Sequence, residues 1–333
     1  MIPGSRSLAA RSKPARWPTK VLLLGATGFI GSRILQALQA RDDNLVSILA
    51  RRSTGLVSEA LPGFHLGDVT DKESVSRAVS RADVVINASS YVGSEQSLAR
   101  QVNQEGTMSV IRACEDSHVR RLIQISTTAV YGSGPHRALL PWEAPYRPDS
   151  AASRSRAAAD RAVLSAGGIV IRPNLIHGIG DRWFIPGAVD MFRALGTDIE
   201  NGRARLSMID VVDLGRLVAS LAVTAFPVAG AFHATDPVPV TLARLLGTIS
   251  RHVRPLDLAG SSSLEEAVRT LEPAGFRPHQ VHMLGMDHHY EAQDLWNLSG
   301  LQPSGFHLTP ETAAWYRAEM SVRLSGMVVV RPS

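Results

Sequence analysis

The sequence predicts an α/β fold, a doubly wound parallel sheet with a smaller C-terminal substrate lobe. Short apolar runs alternate with longer amphipathic segments from Lys20 to Arg172, the first run stops at a glycine-rich turn, and the rhythm loosens after Pro173. Strands that alternate with helices pair in parallel through helical crossovers, which layers helices on both faces of one sheet.

Lys20–Leu24 (KVLLL) is a continuous apolar run ending in glycine, the pattern of a strand buried on both faces. Ser32–Ala40 has helical spacing through Ile34, Leu35 and Leu38, Arg41-Asp42-Asp43-Asn44 breaks it, and Leu45–Ala50 reads as the second strand. Phe64–Leu66, Val84–Asn87 and Leu122–Ser126 continue the series, with helices near Lys72–Ser80 and Ser97–Ser117 between them. Ala151–Ser165 is a helix rich in Ala and Arg, and Ile169–Arg172 is the next strand. Beyond it, helices are expected near Ile185–Leu195, Asp213–Thr224, Leu242–Val253 and Pro310–Arg317, the last with proline in its first turn. The expected domains are a leader (1–19), a dinucleotide-binding domain (20–175) and a lobe (176–333), with a segment of about 206–240 returning to the first domain.

With 333 residues, 44 % of them hydrophobic, the chain can bury a sizeable core, and no internal period marks a repeat array. Cys114 stands alone, which excludes an internal disulfide and a thiolate zinc site; it reads as a small buried residue on a helix, and no metal is expected. No stretch reaches the ~18 apolar residues of a membrane span. The basic first twenty residues lack the apolar core of a secretory signal, so they read as a disordered leader; a transit peptide or a misassigned start are the alternatives. A cytoplasmic protein is expected, without membrane or nucleic-acid partners, because the net charge of +5 is spread over arginines and forms no basic helix. A homodimer is among the expected assemblies.

Gly25-Ala26-Thr27-Gly28-Phe29-Ile30-Gly31 follows the first strand and opens the first helix. In that context the glycines allow a tight turn and close approach of a phosphate, and the helix N-terminus offers unpaired N–H groups to the anion, as in a Rossmann dinucleotide site. An acid at the end of the second strand would accept from the ribose 2′-hydroxyl of NAD. The sequence has Arg51, Arg52 and Ser53 there, while Asp42 and Asp43 precede the strand. Two guanidiniums and a hydroxyl suit a 2′-phosphate, so NADP is the expected cofactor, with one arginine turned to solvent.

The order of landmarks resembles the extended short-chain dehydrogenase/reductases over roughly residues 20–250. Gly67-Asp68-Val69 is similar to the family's adenine-edge contact, Asn87-Ala88-Ser89 to its loop past the cofactor, and Asn103 with Gly106-Thr107 to its helix asparagine motif. Ser126-Thr127-Thr128-Ala129-Val130-Tyr131-Gly132 resembles the segment whose catalytic Ser/Thr falls on Thr127, and Arg172-Pro173-Asn174 through Gly178 resembles the loop over the nicotinamide. The resemblance implies a Tyr, with a Lys four residues later, on one face of the next helix, the Lys holding the nicotinamide ribose and the Tyr exchanging the proton. Ala152 and Arg156 occupy those positions, and no lysine follows Lys72, so the pair is missing and not shifted.

Thr127 can still polarise a carbonyl and Arg156 can still hold ribose hydroxyls, but a permanently protonated guanidinium is a poor acid. Water, a phenol on the substrate, and Tyr91, Tyr146 or His177 remain as proton sources, a structural role being the alternative for each side chain. Atypical members of the family without the pair imply reduction of a ketone on an aromatic polyketide. The expectation is therefore an NADPH-dependent ketoreductase; the alternatives are a non-catalytic NADP-binding sensor and a nucleotide-sugar epimerase or dehydratase, which would need the Tyr. Asp287-His288-His289-Tyr290 resembles a metal-site fragment but reads as solvated loop histidines. Trp183, Phe184 and Phe192 either line the substrate pocket or belong to the core.

Overall fold

A computed structural model describes residues 18–53 and 63–324. The expected leader lies outside the described residues up to position 17, and the first strand begins at Thr19. In chain order the first half runs β1 (Thr19–Leu24), α1 (Phe29–Gln39), β2 (Asn44–Ala50), β3 (Phe64–Leu66), α2 (Lys72–Val79), β4 (Val84–Asn87), α3 (Gln96–Ala99), α4 (Gly106–Asp116), β5 (Arg121–Ile125), β6 (His136–Leu139), α5 (Ala151–Ser165) and β7 (Ile169–Pro173). The second half continues with β8 (Ile176–His177), α6 (Phe184–Leu195), β9 (Asp198–Ile199), β10 (Arg205–Leu206), β11 (Ile209–Asp210), α7 (Val211–Val223), β12 (Gly230–Ala234), β13 (Val240–Thr241) and α8 (Leu242–His252). It closes with β14 (Ser261–Ser262), α9 (Leu264–Leu271), α10 (Pro278–Gly285), β15 (His288–Tyr290), α11 (Gln293–Ser299) and α12 (Pro310–Leu324).

The large sheet has the order β12-β7-β5-β4-β1-β2-β3, with every neighbouring pair parallel. Strand order reverses between β1 and β4, so a crevice opens there at the carboxyl ends of the strands. The apolar run of β1 serves both faces because successive side chains alternate. Val21 and Leu23 pack with Ile34, Leu38 and Leu214 from α1 and α7, while Leu22 and Leu24 pack with Val75 and Val110 from α2 and α4. The lobe has its own core of Ile185, Phe192, Leu245, Leu284 and Tyr316 from α6, α8, α10 and α12. A second sheet, β13-β10-β15-β6, joins lobe strands to β6.

Four expectations need correction. The segment expected as one helix over Ser97–Ser117 is α3 and α4 joined by a π-helical stretch, Arg100–Glu105. The helix at Pro310 continues to Leu324. The helices α9, α10 and α11 were not marked by the sequence; each spans about two turns, too short for a periodic stripe. His288 and His289 are not solvated loop residues: both are buried in β15. Their rings are satisfied by backbone, His288 facing the carbonyls of Met286 and Ser133, and His289 Nδ1 accepting the Ala138 N–H at 2.9 Å. Among the described residues no group of His, Cys, Asp and Glu is arranged to hold a metal, and no helix is long and apolar enough to cross a membrane.

Candidate functional site

The glycine turn follows β1 and closes tightly on the loop after β4. A Cβ on Gly25 would lie 2.6 Å from the Ala88 carbonyl carbon and 2.7 Å from the Ser89 nitrogen, and one on Gly31 would lie 2.0 Å from the Gly25 oxygen. Packing therefore demands those two glycines. Gly28 is different: its nearest neighbour would be 3.4 Å away, and it lines the central cavity together with Phe29, Ile30 and Gly31. Gly28 also caps α1 with no side-chain hydrogen bond and no acid in the first turn, which leaves N–H groups for an anion. Thr27 is exposed beside them. This cradle fits the pyrophosphate of a dinucleotide.

At the end of β2, Arg51, Arg52 and Ser53 are exposed, and Arg51 Nε lies 3.8 Å from an Asp68 carboxylate oxygen. The other Asp68 oxygen accepts the N–H and the hydroxyl of Thr70, each at 2.9 Å. Val69 is buried against Gly106. An exposed ion pair of this length holds Arg51 weakly, so its guanidinium can be recruited by a phosphate.

The cavity, about 500 Å³, runs from Gly28–Gly31 past Ala88 and Ser90 to Thr127 and out between α5 and the lobe. Asn87, Ala88 and Ser89 follow the central strand β4. Asn87 is buried and ties strands together, donating to Gln124 at 2.9 Å and accepting the Ser89 N–H at 3.1 Å. Asn103, in the π-helical stretch, accepts the Tyr91 N–H at 2.8 Å and donates to the Tyr91 carbonyl and to Ser155, each at 2.9 Å. Asn103 also accepts from Ser90, whose hydroxyl in turn takes the Arg156 Nε–H at 2.9 Å. Arg156 thus reaches the cavity with its guanidinium fixed by Ser90. Burial lowers its pKa and Asp160 raises it, but a guanidinium remains cationic.

Thr127 sits in the cavity wall directly after β5, where it caps the turn Thr128–Tyr131 by accepting the Ala129 N–H at 3.2 Å. That bond leaves its hydroxyl proton available to a ligand oxygen. Next to it, Thr128 donates to Asn174 at 2.7 Å, and Asn174 donates to the Ser207 carbonyl at 2.7 Å, which fixes the Pro173–Ile176 stretch along the same wall. Ala152 is in the first turn of α5, one turn before Arg156.

The other sequence candidates stand outside the cavity wall. Tyr91 folds over Gly93 and accepts the Glu95 N–H at 3.4 Å. Tyr146 accepts from Arg172, which also pairs with buried Asp160 at 2.9 Å and donates to Tyr131 and the Pro141 carbonyl. His177 is 2 % exposed, packs edge-on to Phe306, and is held neutral by burial, its pKa pulled to about 4.

At the mouth, Trp183, Phe184 and Met283 line the cavity, whereas Phe192 is fully buried in the lobe core. Asp181 anchors this rim. It accepts the N–H groups of Trp183, Phe184 and Ile185 at 2.8, 2.7 and 2.9 Å and the Tyr316 hydroxyl at 2.9 Å. An acid just ahead of a helix is the cap signal by which the sequence could have revealed Asp181. Ser90, His279 and Met283 carried no such signal. A nicotinamide cofactor bound here would supply hydride chemistry; Arg156 and the Pro173–Ile176 stretch would hold it, and Thr127 would offer its hydroxyl to a carbonyl oxygen.

The epimerase model, "NAD dependent epimerase/dehydratase family", matches residues 21–222. A 4-hydroxy-2-methyl-3-oxo-4-farnesyl-3,4-dihydroquinoline-1-oxide ketoreductase of Stigmatella aurantiaca is 27 % identical over 68 % of this chain and 71 % of its own length. A 2-alkyl-3-oxoalkanoate reductase of Stenotrophomonas maltophilia is 30 % identical over 56 % of this chain and 58 % of its own. The structure of MoeE5 in complex with UDP-glucose and NAD superposes with a TM-score of 0.65 at 18 % identity, covering 92 % of this chain and 99 % of that one. With its glycine turn, its threonine after β5 and its parallel sheet, the chain belongs to the NAD dependent epimerase/dehydratase family, the extended short-chain dehydrogenase/reductases.

Proposed function

We propose that this protein is an NADPH-dependent ketoreductase that converts a ketone on a bulky aromatic polyketide, of the angucyclinone kind, to the alcohol. The observation that carries the reading is one cavity joining the phosphate cradle at Gly28–Gly31, the hydroxyl of Thr127 and an apolar mouth of Trp183, Phe184 and Met283. A flat apolar ketone has matching surface there. The ketoreductase and the oxoalkanoate reductase among the relatives support reduction of a carbonyl. The exposed pair Arg51 and Arg52 supports NADPH over NADH.

A nucleotide-sugar reading fares worse. A diphosphate on the substrate side calls for a cation, yet Arg156 is the one Arg or Lys among the described lining residues, and it is held by Ser90 on the cofactor side. The sensor reading is favoured by Ala152, which removes the usual acid. With that acid gone, the proton comes from a phenol of the substrate or from water.

Deuteride transfer tests the reading. The protein is given NADPH deuterated on either face of the nicotinamide and a panel of aromatic and simple ketones, with and without a neighbouring phenol, and carbinols are read by mass spectrometry. Deuterium at the carbinol carbon is expected. Tight NADPH binding with no transfer to any ketone would favour the sensor.

A further inference from the structure

The proposed reduction requires a proton at the carbonyl oxygen, and Ala152 has none to give. Among the described residues six titratable side chains line the cavity: Asp149, Arg156, Asp181, His279, His288 and Tyr290. Asp181 is saturated by three backbone N–H groups and the Tyr316 hydroxyl. Arg156 is permanently cationic and held by Ser90. His288 has both ring nitrogens against carbonyls, Met286 at 3.1 Å and Ser133 at 3.2 Å. Tyr290 is buried, its hydroxyl lies 3.0 Å from His136 Nδ1, and burial raises its pKa. Asp149 is an exposed carboxylate that already accepts from the Ser133 hydroxyl.

His279 remains. It occupies the first turn of α10, is half-buried, and makes no hydrogen bond with any described residue, so its ring is free to meet both the cavity and solvent. It lies within electrostatic reach of Asp149, the residue just before the cap of α5, whose first turn carries Ala152. His279 thus shares the cavity lining with Asp149, Ser150 and Ser153, the residues that flank Ala152.

We propose that His279 is the proton carrier of this site, its imidazolium protonating the oxygen of the reduced ketone and being refilled by water through the open mouth. The proposal rests on the ketoreductase reading and names the carrier of the water-derived proton. The carbonyl carbon gains the hydride that bound NADPH supplies, and the C=O π pair collects on oxygen. That oxygen takes the ring proton of His279, leaving the alcohol, NADP and a neutral imidazole that regains its proton from water. The titratable groups around His279 are Arg277 and His282 on its own segment and Asp149, which lines the same cavity. Burial first, then Arg277, lower its pKa below the ordinary 6.5, with Asp149 opposing, so the carrier form is lost as pH rises through a value below 6.5.

The test uses the full-length protein, deuterated NADPH and aryl ketones that lack a phenol. His279→Gln is expected to reduce kcat about a hundredfold, the lower range for a lost general acid, with little change in KM. The variant should also lose the decline of kcat above the His279 pKa. His279→Ala should regain rate on addition of free imidazole. Independently of turnover, the His279 ring resonances should titrate below pH 6.5 and shift when an aryl carbinol binds the NADP complex. An unchanged rate and pH profile in His279→Gln, while the wild type still transfers deuterium, overturns the proposal and leaves the reductase reading standing. Reduction restricted to ketones with a neighbouring phenol, equal in both proteins, assigns the proton to the substrate instead. No transfer by the wild type to any ketone removes the reductase reading and the proposal with it.

Discussion

In the proposed function Thr127 and the arginines after β2 act on different ends of one cofactor–substrate pair, and their substitutions separate accordingly. Thr127 spends its acceptor on the Ala129 N–H and keeps its proton for a ligand oxygen. Thr127→Ala removes that donor where negative charge develops, so kcat should fall by about 10²- to 10³-fold, as for loss of one oxyanion donor, with NADPH affinity nearly unchanged. Steady-state kinetics with fluorescence titration of NADPH checks it; unaltered turnover removes Thr127 from the mechanism. Arg51→Ala and Arg52→Ala each remove a charge that the 2′-phosphate of NADPH would meet and the 2′-hydroxyl of NADH would not. NADPH binding should weaken about tenfold or more for at least one of them, with NADH barely affected, a charge-assisted hydrogen bond being worth about 1.5–3 kcal/mol. Equal weakening of both cofactors would undo the 2′-phosphate argument. These residues were legible in the sequence because each sits at a fixed offset from a strand end. Ser90 was not, since what makes it important is a partner distant in the chain, Arg156; Asp181 shows a local cap signal, but its bond to Tyr316 has none.

The large-sheet strands of the first half could be read almost to the residue because runs such as β1, β4 and β7 are apolar and buried on both faces, and they stop abruptly at glycine or a polar turn. The split of the helix at Arg100–Glu105 and the edge strand β6 carry no such pattern. In the lobe the informative contacts are between elements, as α12 shows. Its Tyr316 hydroxyl accepts the Gly178 N–H at 2.8 Å and donates to Asp181 at 2.9 Å, which links the C-terminal helix to the stretch that carries Trp183 and Phe184. Nothing local to Pro310–Leu324 announces that link. Tyr316→Phe keeps the ring in the lobe core and deletes only the hydroxyl, leaving the buried Gly178 N–H without its partner and the Asp181 oxygen with the Ile185 N–H alone. The expected cost is about 1–3 kcal/mol of stability. A rim loosened in this way should raise KM for the ketone more than it lowers kcat. Denaturant melts and KM together check this: a variant as stable as the wild type with unchanged KM would show that α12 does not hold the rim.

Across the whole molecule, a buried polar chain runs from Arg172 of the large sheet to Glu291 beside β15, and burial sets the protonation of its histidine. Arg172 pairs with Asp160 and donates to the Tyr131 oxygen; that oxygen lies 2.9 Å from His233 Nε2, and His233 Nδ1 lies 3.1 Å from the Glu291 carbonyl. The consistent assignment places the His233 proton on Nδ1, donated to the carbonyl, with Nε2 accepting from Tyr131. Burial first, aided by the Arg172 charge, lowers the His233 pKa to about 3. The native state thus binds fewer protons here than the unfolded chain, whose imidazole titrates near 6.5. Its stabilising contribution is complete above pH 6.5 and is lost as pH falls from there toward the folded value. Buried Asp160 and Asp181, whose carboxyls burial pushes up, work in the opposite sense, so the wild-type curve alone mixes both signs. His233→Gln isolates the histidine, because an amide can accept from Tyr131 and donate to a carbonyl without titrating. Relative to wild type, the variant should gain on the order of 2–3 kcal/mol between pH 6.5 and 4.5, at ~1.4 kcal/mol per pH unit. Parallel stability curves for the two proteins over that window would mean that His233 is protonated in the folded state, and that the proton order along the Arg172–Tyr131–His233 chain runs the other way.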